Sequence, residues 1–249
     1  MIEMDGPLIR WASRARGARR WERPGAVVVE APGLAHWDRL VIDGEPAAVA
    51  DLLREVLAGT GETFRPFGTE ELITEVVARL PELEVSARFA WMETTTPVKS
   101  PPTKTSTKSP TEPGNEEKPG WLEAGAAPEI VELIEAAYPE SYARPGDPDV
   151  RRWAGIRDED GRLVTVAAEA WSTPEIGFMS GVATRPSARG RGWGAAICAF
   201  TANELLTDRE RVALVVDHWN TAAVATYTRL GFTTRRVAAA KRTTTTPQP

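Results

Sequence analysis

The chain of 249 residues contains a single cysteine, Cys198. One thiol forms no intramolecular disulfide, so no part of the fold can rest on a cross-link, and such sparse cysteine use points to a reducing, cytoplasmic compartment. Histidine is nearly as scarce, with 2 residues, and neither stands with Cys198 in a spacing that could ligate a metal, so none is expected. No apolar run approaches the roughly 20 residues of a membrane span, and the arginine-bearing N-terminus lacks an apolar signal core, so no membrane partner is expected either.

What is present describes a globular protein. Hydrophobic residues make up 42% of the chain, enough for a real core in one large or two modest domains. The net charge of −5 argues against a nucleic-acid partner, so any cluster of arginines reads as a local anion site. The composition shifts sharply to Thr, Pro, Ser and Lys between Thr94 and Gly120. That stretch cannot bury enough apolar surface to order itself, so residues 95–120 are expected to be a flexible linker. It separates an N-terminal α/β domain, residues 1–94, from a second domain, residues 121–242, with a disordered tail at 243–249.

The first part of the N-terminal half mixes arginines with Trp11 and Trp21, which suggests a wet arm or helix that docks through its tryptophans. Strands are predicted at Val27 to Val29 and Arg39 to Ile42, then a turn at Asp43-Gly44. A helix follows from Pro46 to Leu57, with Gly59 after its end. A second helix, Thr69 to Leu80, has Thr69 as its cap, and a strand from Val85 to Met92 completes the unit. No glycine-rich phosphate loop occurs in this half.

In the second half a helix is predicted from Pro128 to Ala137, followed by Tyr138 and Tyr142. A hairpin then joins Trp153–Arg157 to Leu163–Trp171, and another strand runs from Ile176 to Thr184. After it come a helix to about Leu206, an apolar strand at Arg211 to Val216, a helix at Thr221 to Leu230 and a closing strand at Phe232 to Ala240.

The most informative stretch links the Ile176–Thr184 strand to the helix after it. The chain breaks at Pro186, passes through Arg189, Gly190, Arg191, Gly192 and Gly194, and enters a helical pattern with Trp193, Ile197 and Phe200 on one face. Unpaired N–H groups, the positive end of a helix dipole and two arginines meet there, and glycines let the backbone approach a ligand closely. A diphosphate is the expected occupant. A P-loop is excluded because this loop contains no lysine followed by Ser or Thr, and the alternate-position glycines differ from the dinucleotide Gly-x-Gly-x-x-Gly.

Arg189, Gly192 and Gly194 form Arg-x-x-Gly-x-Gly. Downstream, Asn220, Ala223, Tyr227, Gly231 and Phe232 form Asn-x-x-Ala-x-x-x-Tyr-x-x-x-Gly-Phe. Together, in this order, they resemble the GCN5-related N-acetyltransferase (GNAT) superfamily. The N-terminal half is similar in pattern alone to the degenerate GNAT-like domain of two-domain members such as the FR47-like and glycine N-acyltransferase groups. The resemblance implies an α/β (α+β) GNAT fold, with a mixed, mostly antiparallel sheet flanked by helices and a smaller N-terminal α/β domain. It also implies an acetyl-CoA-dependent N-acetyltransferase that moves an acetyl group by direct attack of an amine.

By the same resemblance, coenzyme A would pair with the backbone of Val182, Ala183 and Thr184. Its pyrophosphate would take N–H bonds from Arg189, Gly190, Arg191, Gly192, Trp193, Gly194 and Ala195. Asn220 would cap its helix and touch the cofactor, and Tyr227 would be the general acid beside the sulfur, although a core tyrosine fits the same helical position. Glu169, His218 and Glu175 are the candidate bases, in that order. The acceptor would be a small-molecule amine or a peptide amino terminus, and the protein a monomer or homodimer. The alternative is a GNAT-fold protein that binds acyl-CoA as a sensor or scaffold without turning it over.

Overall fold

The computed structural model describes residues 5–99 and 118–243. In chain order the elements are α1 (Pro7–Ser13), β1 (Arg19–Arg23), β2 (Ala26–Leu34), β3 (Trp37–Gly44), α2 (Pro46–Gly59), β4 (Arg65–Thr69), α3 (Glu70–Arg79) and β5 (Leu83–Thr94). They are followed by β6 (Gly120–Trp121), α4 (Ala127–Ala137), β7 (Val150–Arg157), β8 (Leu163–Ala170), β9 (Ile176–Thr184), α5 (Trp193–Leu205), β10 (Arg211–Asp217), α6 (Thr221–Arg229) and β11 (Thr233–Arg242). The fold is mixed α/β with mostly antiparallel strands, as expected. The described residues fall into two compact units. The first takes those up to 91 with 216–220 and those from 234 on; the second takes 92–215 with 221–233.

In the first unit the strand order is β1-β2-β3-β4-β11-β5. The strand β1 begins the sheet with exposed arginines, and Arg19 lies directly opposite Glu30 of β2, its guanidinium bonded to both carboxylate oxygens at 2.7 Å. Beneath the sheet, Val49, Leu53 and Val56 of α2 and Ile73 and Val76 of α3 pack on Val28, Leu40 and Ile42, the one-sided apolar spacing of each helix matching the alternation of the strands. The Thr69 hydroxyl caps α3 by accepting the Leu72 N–H at 3.3 Å.

Three elements of this unit escape the sequence reading. In β4, Pro66 and Gly68 look like turn residues, yet both sit in a paired strand. Gly68 is required there because a Cβ would lie 3.0 Å from the Ile42 carbonyl oxygen. The arm before residue 25 is α1 and β1, too short and too charged to show a period. Its tryptophans do dock: Trp11 is 1% exposed and packs 5.3 Å from Trp91, and Trp21 leans on the core formed with α2 and α3. The strand expected to close the C-terminal domain, β11, pairs antiparallel with β4, Val237 opposite Thr69, and so belongs to the first unit.

The second unit has the order β10-β9-β8-β7-β6. All neighbours are antiparallel except β9 and β10, which run parallel. Ile130, Leu133 and Ile134 of α4 pack with Trp153, Leu163, Val166, Ala168 and Ala183 to form its core. Of the expected linker and tail, residues 100–117 and 244–249 lie outside the described residues. Val98, inside the expected linker, is only 5% exposed. Its N–H and C=O are both held by the Asn203 amide, at 2.7 and 2.9 Å. Composition alone hid this anchor, which needs an asparagine on a distant helix.

Replacing Trp11 with alanine removes a fully buried ring and its partner for Trp91. The expected loss is about 3–5 kcal/mol of unfolding free energy, read by chemical denaturation.

Candidate active site

The strand β9 changes partners along its length. Its first residues pair with β10, Ile176 opposite Arg211 through Phe178 opposite Ala213, and there the ladder ends while β9 runs on to Thr184. On its other edge β9 stays paired with β8, Ala183 opposite Val166 and Thr184 opposite Thr165. Val166 to Ala168 on β8 spans the same ladder as Ser180 to Ala183 on β9, so β9 carries an extra residue, a bulge at Gly181–Val182. Gly181 has φ +60, and a Cβ there would lie 2.7 Å from the Trp153 ring. The backbone of Val182, Ala183 and Thr184 thus has an edge that β10 does not cover.

The end of β9 is pinned from one side. The Thr165 hydroxyl donates to the Ala183 carbonyl at 2.9 Å, and the buried Arg185 donates through Nε to the Leu163 carbonyl at 2.7 Å. A short turn, Pro186–Ala188, leads into the glycine loop. Gly190 and Gly192 have φ +77 and +89, conformations that other residues adopt only with strain. Gly192 is the N-cap of α5 and no side chain caps it; the first N–H bonded back along the helix is that of Ala196, to the Gly192 carbonyl at 3.0 Å. Gly190, Arg191 and Gly192 are exposed, a Cβ on Gly190 would meet nothing within 4 Å, and one on Gly194 would approach only the Thr184 hydroxyl at 3.4 Å. An exposed, uncapped helix start with room above it fits an anionic group.

Arg189 departs from the expected part. Its side chain donates to the Thr184 carbonyl at 3.2 Å and to the Ala137 carbonyl at 3.0 Å, and its own N–H points to the Pro186 carbonyl at 3.4 Å. It ties the loop to the C-terminal end of α4, where a cation also meets the negative end of the helix dipole. Trp193 is buried, so only its backbone faces the loop.

Glu169 is not an available base. It is buried on β8, and its carboxylate accepts from Arg152 Nε at 2.7 Å, Arg209 Nη2 at 2.8 Å and Arg151 Nη1 at 3.4 Å. Its lone pairs are engaged by three cations, which makes it an anchor; the alternation along β8 suggested a cleft-facing residue because all of β8 is buried on both faces. Glu175 precedes the paired start of β9, the opposite end of that strand from the glycine loop, which removes it as well. His218, in the first unit, keeps the properties of a base. Its Nδ1 lies 3.0 Å from the Arg88 carbonyl oxygen, which only accepts, so Nδ1 carries the hydrogen and the neutral ring keeps its lone pair on Nε2. Asn220, in the same unit, turns its N–H to the Asp217 carbonyl at 2.9 Å.

Tyr227 lies on α6 in the second unit, 6% exposed, its ring 5.8 Å from Phe232. Burial raises its phenol well above the usual value, and the neighbouring Cys198 and Tyr138 act in the same direction. Burial likewise pushes the Cys198 thiol up to about 12. No spacing in the sequence relates Cys198 to Tyr227, since the two residues sit on different helices, α5 and α6. The bulge at Gly181 did have a signal, a lone glycine inside a strand pattern. Of the other aromatics of this unit, Tyr138 and Tyr142 are exposed, Trp153 lies beneath Gly181, and Trp171 has a left-handed φ of 51. Among the described residues no acidic, histidine and cysteine cluster could hold a metal, and no helix is long and apolar enough to cross a membrane.

Two predictions test these assignments. Glu169→Gln strands the buried Arg209 without its counter-ion and lowers unfolding free energy by about 3 kcal/mol in urea titration. The Cys198 thiol sits at about 12 in the folded protein against 9.0 for an unshifted thiol, so the unfolded chain ionises first as pH rises. Its stabilising contribution is complete below pH 9.0 and is lost as pH climbs toward about 12. Urea melts across that range show the decline, and Cys198→Ser makes it shallower.

Comparison with known proteins agrees with this geometry. Residues 154–240 match the family model described as FR47-like protein. No curated protein matches the chain in sequence. Among solved structures it is similar to a GCN5-related N-acetyltransferase from Kribbella flavida, with 18% identity and a TM-score of 0.64 over 98% of this chain and 97% of the other. It is also similar to a GCN5-related N-acetyltransferase from Sphaerobacter thermophilus, with 17% identity and a TM-score of 0.54 over 88% and 80%. A functionally unknown conserved protein from Staphylococcus epidermidis shares the fold at 10% identity and a TM-score of 0.54, over 91% and 94%. Residues 154–240 thus match the FR47-like family model, and the chain shares its fold along most of its length with solved GCN5-related N-acetyltransferases.

Proposed function

We propose that the protein is an acetyl-CoA-dependent N-acetyltransferase acting on a primary amine of a small molecule or a peptide amino terminus. The observation that carries this reading is the end of β9–β10 pairing at Phe178–Ala213, with β9 continuing alone into an uncapped, glycine-lined start of α5. An extended ligand with amide groups can add to that strand edge while its diphosphate meets the helix start. Acetyl-CoA, when bound, supplies an acetyl thioester to the amine.

The chain's own residues then have the following parts. Val182, Ala183 and Thr184 offer backbone N–H and C=O groups to the pantetheine arm. Gly190, Arg191, Gly192, Gly194 and Ala195, with the backbone of Trp193, offer N–H groups to the pyrophosphate, and the exposed Arg191 adds a full charge. Arg189 shapes the loop through its two carbonyl contacts. Tyr227 holds a proton on its hydroxyl at neutral pH, as a general acid must, because burial disfavours its anion. Holding amine and thioester in register provides much of the rate, so a strong base is not essential.

A thiol-release assay with a panel of amines tests the proposal. CoA release on at least one amine supports it; tight acetyl-CoA binding with no release on any favours a non-catalytic acyl-CoA-binding role. Tyr227→Phe lowers kcat by about 100-fold, the scale of general acid catalysis, with CoA affinity by calorimetry nearly unchanged. Gly192→Val, forced into a left-handed cap at φ +89, abolishes CoA binding in the same calorimetric measurement.

A further inference from the structure

One guanidinium bridges two elements of the second unit. Arg189 donates through Nε to the Thr184 carbonyl at the end of β9 and through Nη2 to the Ala137 carbonyl, the last of α4. Arg185, on the same connection, makes a second link to that helix: its buried side chain meets the Glu132 carboxylate at 3.1 Å. Glu132 and Ala137 lie about 7.5 Å apart along the helix axis, so the turn before α5 and the C-terminal half of α4 hold each other in place. After α4 comes a compact loop, residues 138–147. In it the Ser141 N–H donates to the Tyr138 carbonyl and the Ser141 hydroxyl to the Ala143 carbonyl, both at 3.1 Å. The Arg144 guanidinium donates to the Pro139 carbonyl, and the Arg144 N–H to the Asp147 carboxylate at 3.0 Å. Tied in this way, the loop moves as one piece. Its other end rests on β9: the fully buried Ala143 has its Cβ 3.2 Å from the place a Cβ on Gly181 would take. Tyr138 directly follows Ala137 and Tyr142 directly precedes Ala143, and both rings are exposed, 38% and 37%. Two aromatic rings are thus presented from a body held at one end by an arginine of the glycine loop and at the other by the bulge of β9.

We propose that Arg189 is a positioning residue that couples the glycine loop to the tyrosine-bearing loop: when CoA fills the start of α5, the Arg189 fork fixes Ala137, and with it the surface that Tyr138 and Tyr142 offer to the acceptor amine. The inference rests on the acetyltransferase reading given above. CoA orders the glycine loop, and the cost of ordering residues 138–147 falls because the guanidinium already joins the two. Nε and Nη2 are taken by carbonyls, so Arg189 acts on the second substrate more than on CoA. Without the fork, the Thr184 and Ala137 carbonyls have no link between them, and filling one loop no longer reaches the other.

Two variants separate the bridge from the charge. Arg189→Met keeps the length of the side chain and removes its donors; Arg189→Lys keeps the charge on a single head that cannot span both carbonyls. In thiol release the expected KM for the amine rises about tenfold in the methionine variant and at least about threefold in the lysine variant, with kcat and CoA affinity within about threefold of the parent. Hydrogen exchange read by mass spectrometry follows the coupling without turnover. Added CoA slows exchange across residues 138–149 by about fivefold in the parent and not in the methionine variant, while residues 189–196 are slowed in both. A methionine variant whose CoA affinity falls by more than about tenfold with an unchanged amine KM shows that Arg189 holds the diphosphate itself, which overturns the proposal. Equal slowing of 138–149 in both proteins overturns it as well, as does a parent slowed only at 189–196 or a lysine variant equal to the parent. Failure of the underlying reading is distinct: the parent then gives no heat with CoA, or no amine releases the thiol. Ligand-free exchange of 138–149 still decides whether Arg189 holds that loop, since it is faster in the methionine variant if the tie exists and the same if it does not.

Discussion

Backbone groups in a strand need partners on both edges, and β9 has them on one edge for only its first few residues. Past Phe178 its β10-side edge carries N–H and C=O groups that β10 does not take up, and the Gly181 bulge twists the chain at that point. Only glycine fits at this bulge, because the Trp153 ring fills the space where a side chain would sit. A few residues on, Pro186 stops the strand and the glycines deliver the chain to the start of α5 with its N–H groups uncapped. Two kinds of unsatisfied backbone, a strand edge and a helix start, therefore lie consecutively on one segment. A ligand with amides at one end and a diphosphate at the other answers both needs.

Polar groups buried beside this segment follow two opposite rules. Glu169 is charged and far from water, and it is tolerated because three guanidinium groups surround it. Tyr227 and Cys198 are equally buried, but no full charge faces them, and both stay neutral. One arrangement locks strands and loops together; the other keeps both groups protonated at neutral pH. The difference is set by the neighbours and not by residue type, since a carboxylate is the more obvious catalytic group of the two.

The first unit contains a comparable junction between a strand and a helix, β3 to α2, and shows what removes an anion site. Gly44 there is crowded, a Cβ being 2.1 Å from the Gly25 carbonyl oxygen, and the N-cap of α2 is Glu45. Asp43 turns its own carboxylate to the Gly44 N–H at 3.0 Å, and burial raises its pKa. A carboxylate and a crowded backbone occupy the place that glycines and arginines keep open before α5.

Much of this was readable in the amino-acid order. Strands and helices with a clear period, such as Ile176–Thr184 and Pro46–Leu57, were predicted nearly to the residue, because alternation and one-sided spacing are local properties. The glycine loop and the Asn220-to-Phe232 pattern were equally legible, since a backbone that needs left-handed residues writes them into the chain. Short elements with mixed signals, β1 and β4 among them, were not, because their stability comes from neighbours in the sheet. Nor was the part played by individual polar side chains: that Glu169 is surrounded by arginines, that Arg189 holds two carbonyls and that Asn203 grips Val98 are contacts the sequence pattern does not show. Local order thus determined where the chain bends, pairs and turns toward a ligand; only the folded packing decided which charged and polar groups are left over for chemistry, because a side chain's availability depends on what the rest of the chain brings within hydrogen-bond reach.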